Sequence, residues 1–455
     1  MFLQIAAGVD DDTWLFHLRR GDYSRWFSRR IAARNFLDVR FGYHRPEFLH
    51  LPHAGRPGRR SMKKPTRVNH PPAVELPPDN HAVVAPIYQS VKFEFDTVEE
   101  TERYLRGERP GFYYSRSSNP TMRQLELLLA ELQGREDCLV TASGVGVIAQ
   151  TLLALTRQGD HVICFVESYN PTRYLIRRIL GRFGVTHTLL SIEDLAGVER
   201  TLAERPTRLV IFESPTNPVT KIADIAALTR LARAAGALSM LDNTFAGFHQ
   251  HGEYEVDFYL HSLTKYASGT GDVMGGAVIA RGDLIRALRT DFGALGGMLD
   301  PHAAFLILRG LKTYFVRYRA QCASALRIAQ RLGEHPAVAR VHYPGLPAHP
   351  QHALATRQMQ DFGTIVSFEL RGGAKAARRF ANALELFALA ASLGSTESLV
   401  VTAQMLGGRE PDAELQRLAA ITEGTIRLSI GLEEPGDLLA DLEHALAAAD
   451  AALSA

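Results

Sequence analysis

Residues 207–245 read TRLVIFESPTNPVTKIADIAALTRLARAAGALSMLDNTF. TRLVIFES and ALSMLDNT are short apolar runs of strand length, whereas KIADIAALTRLARAAG between them returns its apolar residues at helical spacing. The stretch is one strand–helix–strand unit, and the same rhythm extends outward. DCLVTAS, HVICFVE and THTLLS precede it, GGAVIA follows, and VGVIAQTLLALTRQ and RYLIRRILGRF lie between several of these runs. The pattern predicts an α/β fold, a mostly parallel central sheet covered by helices.

A chain of 455 residues exceeds what one hydrophobic core usually serves. Four parts are expected: a basic extension over 1–62, an extended arm over 63–120, a large domain over 121–300 and a smaller α/β domain over 301–455. Pro65, Pro71, Pro72, Pro77, Pro78 and Pro86 break any regular element in the arm. TMRQLELLLAELQG then reads as a helix stopped by Gly134. After GGAVIA come the helical DLIRALRTDF and a long helical stretch from about Pro301 to Leu332. A second alternation starts near Val338 with TIVSFEL, a helix from Ala374 to Leu386, LFALAASLG, TIRLSIGLE and a terminal alanine-rich helix.

The composition, 46% hydrophobic and 22% charged, is that of a globular protein. Cys138, Cys164 and Cys322 stand far apart with no CxxC pair, which argues against a disulfide scaffold and a zinc site and for a reducing compartment. No apolar run approaches the roughly 20 residues of a membrane span, and Asp10, Asp11 and Asp12 stand where a secretory signal would be apolar. A cytoplasmic location without a membrane partner is expected. The net charge of +2 conceals a basic head, since residues 1–60 hold 11 Arg or Lys against 6 Asp or Glu. There WFSRRIAARNFLDVRF has the makings of a basic amphipathic helix, read as an appendage rather than a nucleic-acid surface. Met62, after AGRPGRRS, is read as a candidate for the translation start, an expectation that an intact mass of the native protein would test.

In such sheets the ligand lies outside the carboxyl ends of the strands. Ser143, Tyr169, Asn217, Asp242 and Lys265 all end or follow apolar runs. Asp242 either caps a turn or holds a protonated ring nitrogen, whose charge a carboxylate favours. Lys265, in HSLTKYASGTGD, is either a solvated loop residue or an amine that captures an aldehyde and later moves a proton. Ser143, Gly144 and Val145 of TASGVG form either an ordinary tight turn or, with Ser262 and Thr264, a phosphate cradle at a helix N-terminus. Tyr169 packs as a core aromatic or covers a flat ring. Tyr114 and Arg116 lie on the arm, where a guanidinium serves a surface ion pair or a phosphate. Arg427, inside the alternating TIRLSIG, faces outward or needs a buried anion such as a carboxylate.

Taken in order, APIYQS, YYSRSSNPT, SGVG, SPTNP, LDNTFA, HSLTKY, PHAAFLILRGLKT, SLGSTESL and RLSIGLE resemble the pyridoxal-phosphate-dependent enzymes of cysteine and methionine metabolism over about residues 80–450. That family contains cystathionine γ-synthases, cystathionine lyases, methionine γ-lyases and homoserine-ester sulfhydrylases. The resemblance implies the fold-type I architecture of pyridoxal-phosphate-dependent transferases, with pyridoxal 5'-phosphate as cofactor and an amino acid as substrate. It makes Lys265 the Schiff-base lysine and proton carrier, Asp242 the partner of the pyridine nitrogen and Tyr169 the stacking ring. Ser143, Gly144, Val145, Ser262 and Thr264 fall at phosphate positions, with Val145 where relatives carry methionine. Tyr114 and Arg116 are implied to reach a neighbouring subunit's phosphate, hence a homodimer or homotetramer. Asn217, Ser392 and Arg427 match positions near the cofactor oxygen and the substrate carboxylate.

The implied activity is a carbon–sulfur lyase working by γ-elimination, with γ-replacement, β-elimination and a non-enzymatic scaffold as the alternatives in that order. Ala391 precedes Ser392 where cystathionine enzymes often have glutamate. Pro171 stands where methionine γ-lyases carry cysteine, and VTAQMLGGREPD replaces an HPASMTH-like segment. YASGTGD likewise departs from the GGHSD wording of relatives.

Overall fold

The computed structural model describes residues 5–7, 14–16, 81–406 and 413–450. The proposed basic helix at 26–41 and the alternative start at Met62 lie outside these residues. Two compact units divide the chain, Met1–His81 and Ala82–Ala455. Within the first, β1 (Ile5–Ala7) pairs antiparallel with β2 (Trp14–Phe16).

The second unit contains two sheets. The larger has seven strands: β3 (Asp137–Thr141), β4 (His161–Phe165), β5 (Thr186–Leu190), β6 (Leu209–Glu213), β7 (Leu238–Asp242), β8 (Phe258–Ser262) and β9 (Gly276–Ala280). Their order is β3-β9-β8-β7-β6-β4-β5. All neighbours run parallel except at β9, which is antiparallel to both β3 and β8. β4, β6 and β9 are buried along their whole length, which is why they read as continuous apolar runs.

The helix Gly144–Leu155 packs against β9 and β8 on one face, and Pro120–Gln133 packs against β3 and the helix Pro301–Leu311. Caps fix several starts. Asn119 Oδ1 accepts from Thr121 N at 2.9 Å, and Asp224 and Asp300 cap Ile225–Ala234 and Pro301–Leu311 in the same manner. The smaller sheet has five strands, β10 (Val338–His342), β11 (Ile365–Leu370), β12 (Ala388–Leu389), β13 (Leu399–Thr402) and β14 (Thr425–Ser429), in the order β10-β11-β14-β13-β12. The helices Gly373–Ala383 and Pro435–Asp450 pack together beside it over a core that includes Phe368, Phe380, Val400 and Leu442.

Three expectations need correction. The arm is not devoid of regular structure: Val98–Leu105 is a helix capped by Thr97, whose hydroxyl accepts from Glu100 N at 3.2 Å. The prolines punctuate the chain on either side of it and leave VEETERYL free to form two turns. β8 was not among the expected strands, because FYLHS is short and half polar; it forms because β7 and β9 complete its ladders. The single helical stretch from Pro301 to Leu332 is two helices, Pro301–Leu311 and Tyr314–Glu334.

Candidate active site

The carboxyl ends of β6, β7 and β8 lie side by side, with Glu213 in register with Asp242 and Asp242 with Leu260. Asp242 Oδ1 accepts from Thr244 N at 3.1 Å and from Thr244 Oγ1 at 2.6 Å. Oδ2 accepts no hydrogen bond from the described residues, so half of the carboxylate stays available to a cationic donor. Withdrawal from solvent raises the pKa of Asp242, and the two bonds from Thr244 oppose that rise. Thr244 Oγ1 also accepts from Ser262 N at 2.9 Å, which ties the end of β7 to the end of β8.

Ser143 caps the helix Gly144–Leu155, its Oγ accepting from Gly146 N at 3.0 Å. The N–H groups of Gly144 and Val145 precede any possible intrahelical acceptor and carry the positive end of the helix dipole. A Cβ at Gly144 would lie 2.8 Å from both Cβ and Oγ of Ser262. Only glycine lets this helix end approach the Ser262 hydroxyl so closely, and the result is a narrow cradle of N–H and O–H donors for an oxyanion. Thr264 is engaged differently: its Oγ1 accepts from Gly275 N at 3.1 Å and clasps the two sides of the lysine loop.

Lys265 Nζ donates to Ser392 Oγ at 2.8 Å. Burial, and then the neighbouring Arg427 charge, push this amine down to about 8. Ser392 has a φ of 105°, a left-handed backbone that is unusual for serine. Arg427 occupies the middle of β14 and is 5% exposed, which settles its orientation as inward. Its Nη1 donates to Asn217 Oδ1 and its Nη2 to the Ser392 carbonyl, both at 2.9 Å. The remaining Nε is buried without a partner among the described residues. Desolvation pushes this guanidinium down to about 10, so an added anion would relieve a real cost.

Tyr169 caps the start of the short helix Asn170–Tyr174, and the residue is 41% exposed. Burial and then Glu213 raise its phenol. Glu213, which the sequence reading did not single out, accepts from Tyr169 N at 2.8 Å and from Asn217 N at 3.1 Å. Its carboxyl is held well above the usual range by burial and then by Asp242. A carboxyl at the end of a strand, ahead of the turn-forming SPTNP, was the available signal. Thr244 was also missed, although aspartate followed two residues later by threonine is a recurrent turn pattern.

Tyr114 and Arg116 lie on the arm. Arg116 Nη1 donates to Gly293 O at 2.7 Å, its guanidinium lies 5.7 Å from the Tyr114 ring centroid, and neither bonds to Ser143, Ser262 or Lys265. Among the described residues no cluster of metal-ligating side chains occurs and no helix is long and apolar enough to cross a membrane. The donors near Ser143, the open oxygen of Asp242 and the desolvated Lys265 amine fit, respectively, a phosphate, a protonated ring nitrogen and an aldehyde.

The family model for Cys/Met metabolism PLP-dependent enzymes matches residues 72–447. L-methionine gamma-lyase of Pseudomonas putida is 41% identical over 377 residues, covering 82% of this chain and 94% of that protein. O-succinylhomoserine sulfhydrylase of Pseudomonas aeruginosa is 37% identical, covering 80% and 90%. The solved structure of cystathionine gamma synthase from Xanthomonas oryzae pv. oryzae in complex with cystathionine superposes with a TM-score of 0.77 at 38% identity, over 81% of this chain and 94% of that one. The chain therefore belongs to the Cys/Met metabolism family of pyridoxal-phosphate-dependent enzymes, and pyridoxal 5'-phosphate is its cofactor.

Proposed function

We propose that the enzyme carries out γ-elimination on a sulfur amino acid, with methionine or cystathionine as the substrate. The observation that carries this reading is the Lys265–Ser392–Arg427–Asn217 chain of hydrogen bonds, which puts a lowered-pKa amine beside a buried, incompletely paired guanidinium. Similarity to methionine γ-lyases directs it toward sulfur substrates. When bound, the cofactor supplies a carbonyl that captures the substrate amine and a ring that takes up the charge left at Cα.

Arg427 receives the substrate carboxylate, its Nε offering a donor that no described residue matches. Asn217 and the Ser392 carbonyl hold the guanidinium plane. Lys265 removes the Cα proton, and Ser392 Oγ orients it. Lys265, once relieved of that proton, takes a Cβ proton in turn, the bond between Cγ and sulfur breaks with its electron pair on sulfur, and the Tyr169 phenol donates a proton to the departing thiolate. Water consumption completes the balance, giving a 2-oxo acid, ammonia and a thiol. Ala391, small and uncharged, offers no ion pair to a distal amino group.

γ-Replacement is the second reading. A cavity of about 450 Å³ opens beside Tyr169 and Asn217, bounded also by Ser168, Gln404 and Thr422, which is room for an incoming thiol. We further propose that Tyr114 and Arg116 complete a neighbouring subunit's phosphate site, so that the working enzyme is a homodimer or homotetramer. Three buried, unpaired cysteines suit a reducing compartment such as the cytoplasm. The deciding experiment is a panel of methionine, cystathionine, homocysteine, cysteine and acylated homoserines, each with and without added thiol. Release of oxo acid and ammonia without thiol is expected. A new amino acid formed only with thiol would replace elimination by replacement, and release from cysteine alone would make the enzyme a β-lyase.

A further inference from the structure

Behind the loop that carries Asn217 lies a second cavity, of about 290 Å³, whose walls include Lys221, Arg340, His342, His349 and Arg417. None of these residues takes part in the reaction derived above. Three permanent cations line it against one carboxylate, Glu193. Lys221 is fully employed, its Nζ contacting Glu167 at 2.9 Å, Glu193 at 2.7 Å and the Leu418 carbonyl at 2.8 Å. Arg340, exposed on β10, makes no hydrogen bond or ion pair through its guanidinium among the described residues. His349 is buried, and its Nδ1 accepts from Gln351 N at 3.2 Å. The neutral ring therefore carries its proton on Nε2, and that N–H finds no acceptor among the described residues. His342 Nε2 sits 2.7 Å from Glu369 Oε1. Burial, then His342 and Arg340, push His349 down to about 4, which keeps the ring neutral near pH 7.

We propose that this cavity binds a small oxyanion, a phosphate or a carboxylate, through the Arg340 guanidinium and the His349 Nε2–H, and that its occupant acts on substrate binding through the Asn217 loop. A guanidinium fork and a directed ring N–H are suited to an oxyanion. The route to the active site is short. Val219 and Lys221 line the cavity, and Thr220 between them has a φ of 50°, a strained conformation for a β-branched residue. Thr220 Oγ1 donates to the carbonyl of His342, another wall residue, at 3.2 Å. Asn217, three residues earlier, holds Arg427. An anion that orders this wall steadies the loop that positions the arginine.

Calorimetric titration of the holoenzyme, whose cofactor site is already filled, tests this at constant ionic strength with inorganic phosphate in one arm and succinate in the other. Saturable binding of one anion per chain is expected, weakened tenfold or more in Arg340→Ala and in His349→Ala. The arm that binds identifies the source. Absence of saturable binding in both arms, or equal affinity in wild type and Arg340→Ala, overturns the proposal. Arg340 is exposed, so that variant decides the matter if His349→Ala does not fold. Phosphate or succinate should also lower KM for the amino-acid substrate in wild type and not in Arg340→Ala; an unchanged KM would remove the coupling while leaving the site. The binding measurement is independent of the reaction proposed above.

Discussion

Lys265 shows how far one side chain's environment alters its chemistry. An exposed lysine is almost wholly protonated near neutrality, but burial and the Arg427 charge bring this one from 10.5 to about 8. Only the unprotonated amine attacks a carbonyl, so cofactor capture by the apoenzyme should accelerate as pH rises through about 8 and level off above it. A midpoint near 10.5 in the absorbance change on adding cofactor would contradict this environment, and Arg427→Ala should move the midpoint upward. Thr244 invites a second test, because its hydroxyl serves both Asp242 and the backbone of Ser262. Thr244→Val should weaken cofactor affinity by roughly tenfold, the scale of one lost hydrogen bond to a charged group, while Thr244→Ser should restore it. Equal dissociation constants for the valine variant and wild type would assign the threonine a merely structural part.

Among the elements, the terminal helix Pro435–Asp450 contributes more than apolar packing. Asp441, 8% exposed, accepts from the backbone N–H groups of Glu385, Leu386 and Phe387 at 2.8, 3.0 and 3.4 Å. These N–H groups directly follow the helix Gly373–Ala383, and without the carboxylate they lose their partner inside the protein. Asp441→Ala is expected to cost about 1–2 kcal/mol, because only the Phe387 donor is buried and those of Glu385 and Leu386 are partly open to water. A lowered urea midpoint with an unchanged slope is the expected result; an unmoved midpoint would show that water replaces the carboxylate. The helix Gly144–Leu155 imposes a different constraint, because its approach to β8 admits glycine alone at position 144. TASGVG by itself gave no means of separating an ordinary turn from this close approach.

At the scale of the whole molecule, the lack of a hydrogen bond from Tyr114 or Arg116 to Ser143, Ser262 or Lys265 becomes a prediction. Both lie on a segment with exposed apolar side chains, Tyr113 at 46% and Val91 at 57% among them. If these residues complete a neighbour's site, Arg116→Ala and Lys265→Ala subunits, each inactive alone, should regain part of the activity once mixed and allowed to exchange. In a mixed pair one site receives both intact contributions. No recovery, despite mass spectrometry showing mixed oligomers, would confine each active site to one chain.

Much of the fold was legible in order and periodicity. Strands buried on both faces must be apolar throughout, helices covering them are apolar on one stripe, and the alternation of the two spells a mostly parallel sheet. The order of Asp242, Lys265 and Arg427 along the chain likewise pointed to candidates for one site. Tertiary structure decided what depends on neighbours distant in sequence. FYLHS became a strand because β7 and β9 offered ladders on both sides, and Arg427 turned inward because Asn217 and the Ser392 carbonyl wait there, 210 and 35 residues away. Glu213 acquired a part in the site through lateral register with Asp242, a relation that no local pattern contains. Sequence determines which side chains are available and which elements they favour. Which of them share a desolvated space, and so which charges and donors alter one another, follows only once distant strands pair and exclude water between them.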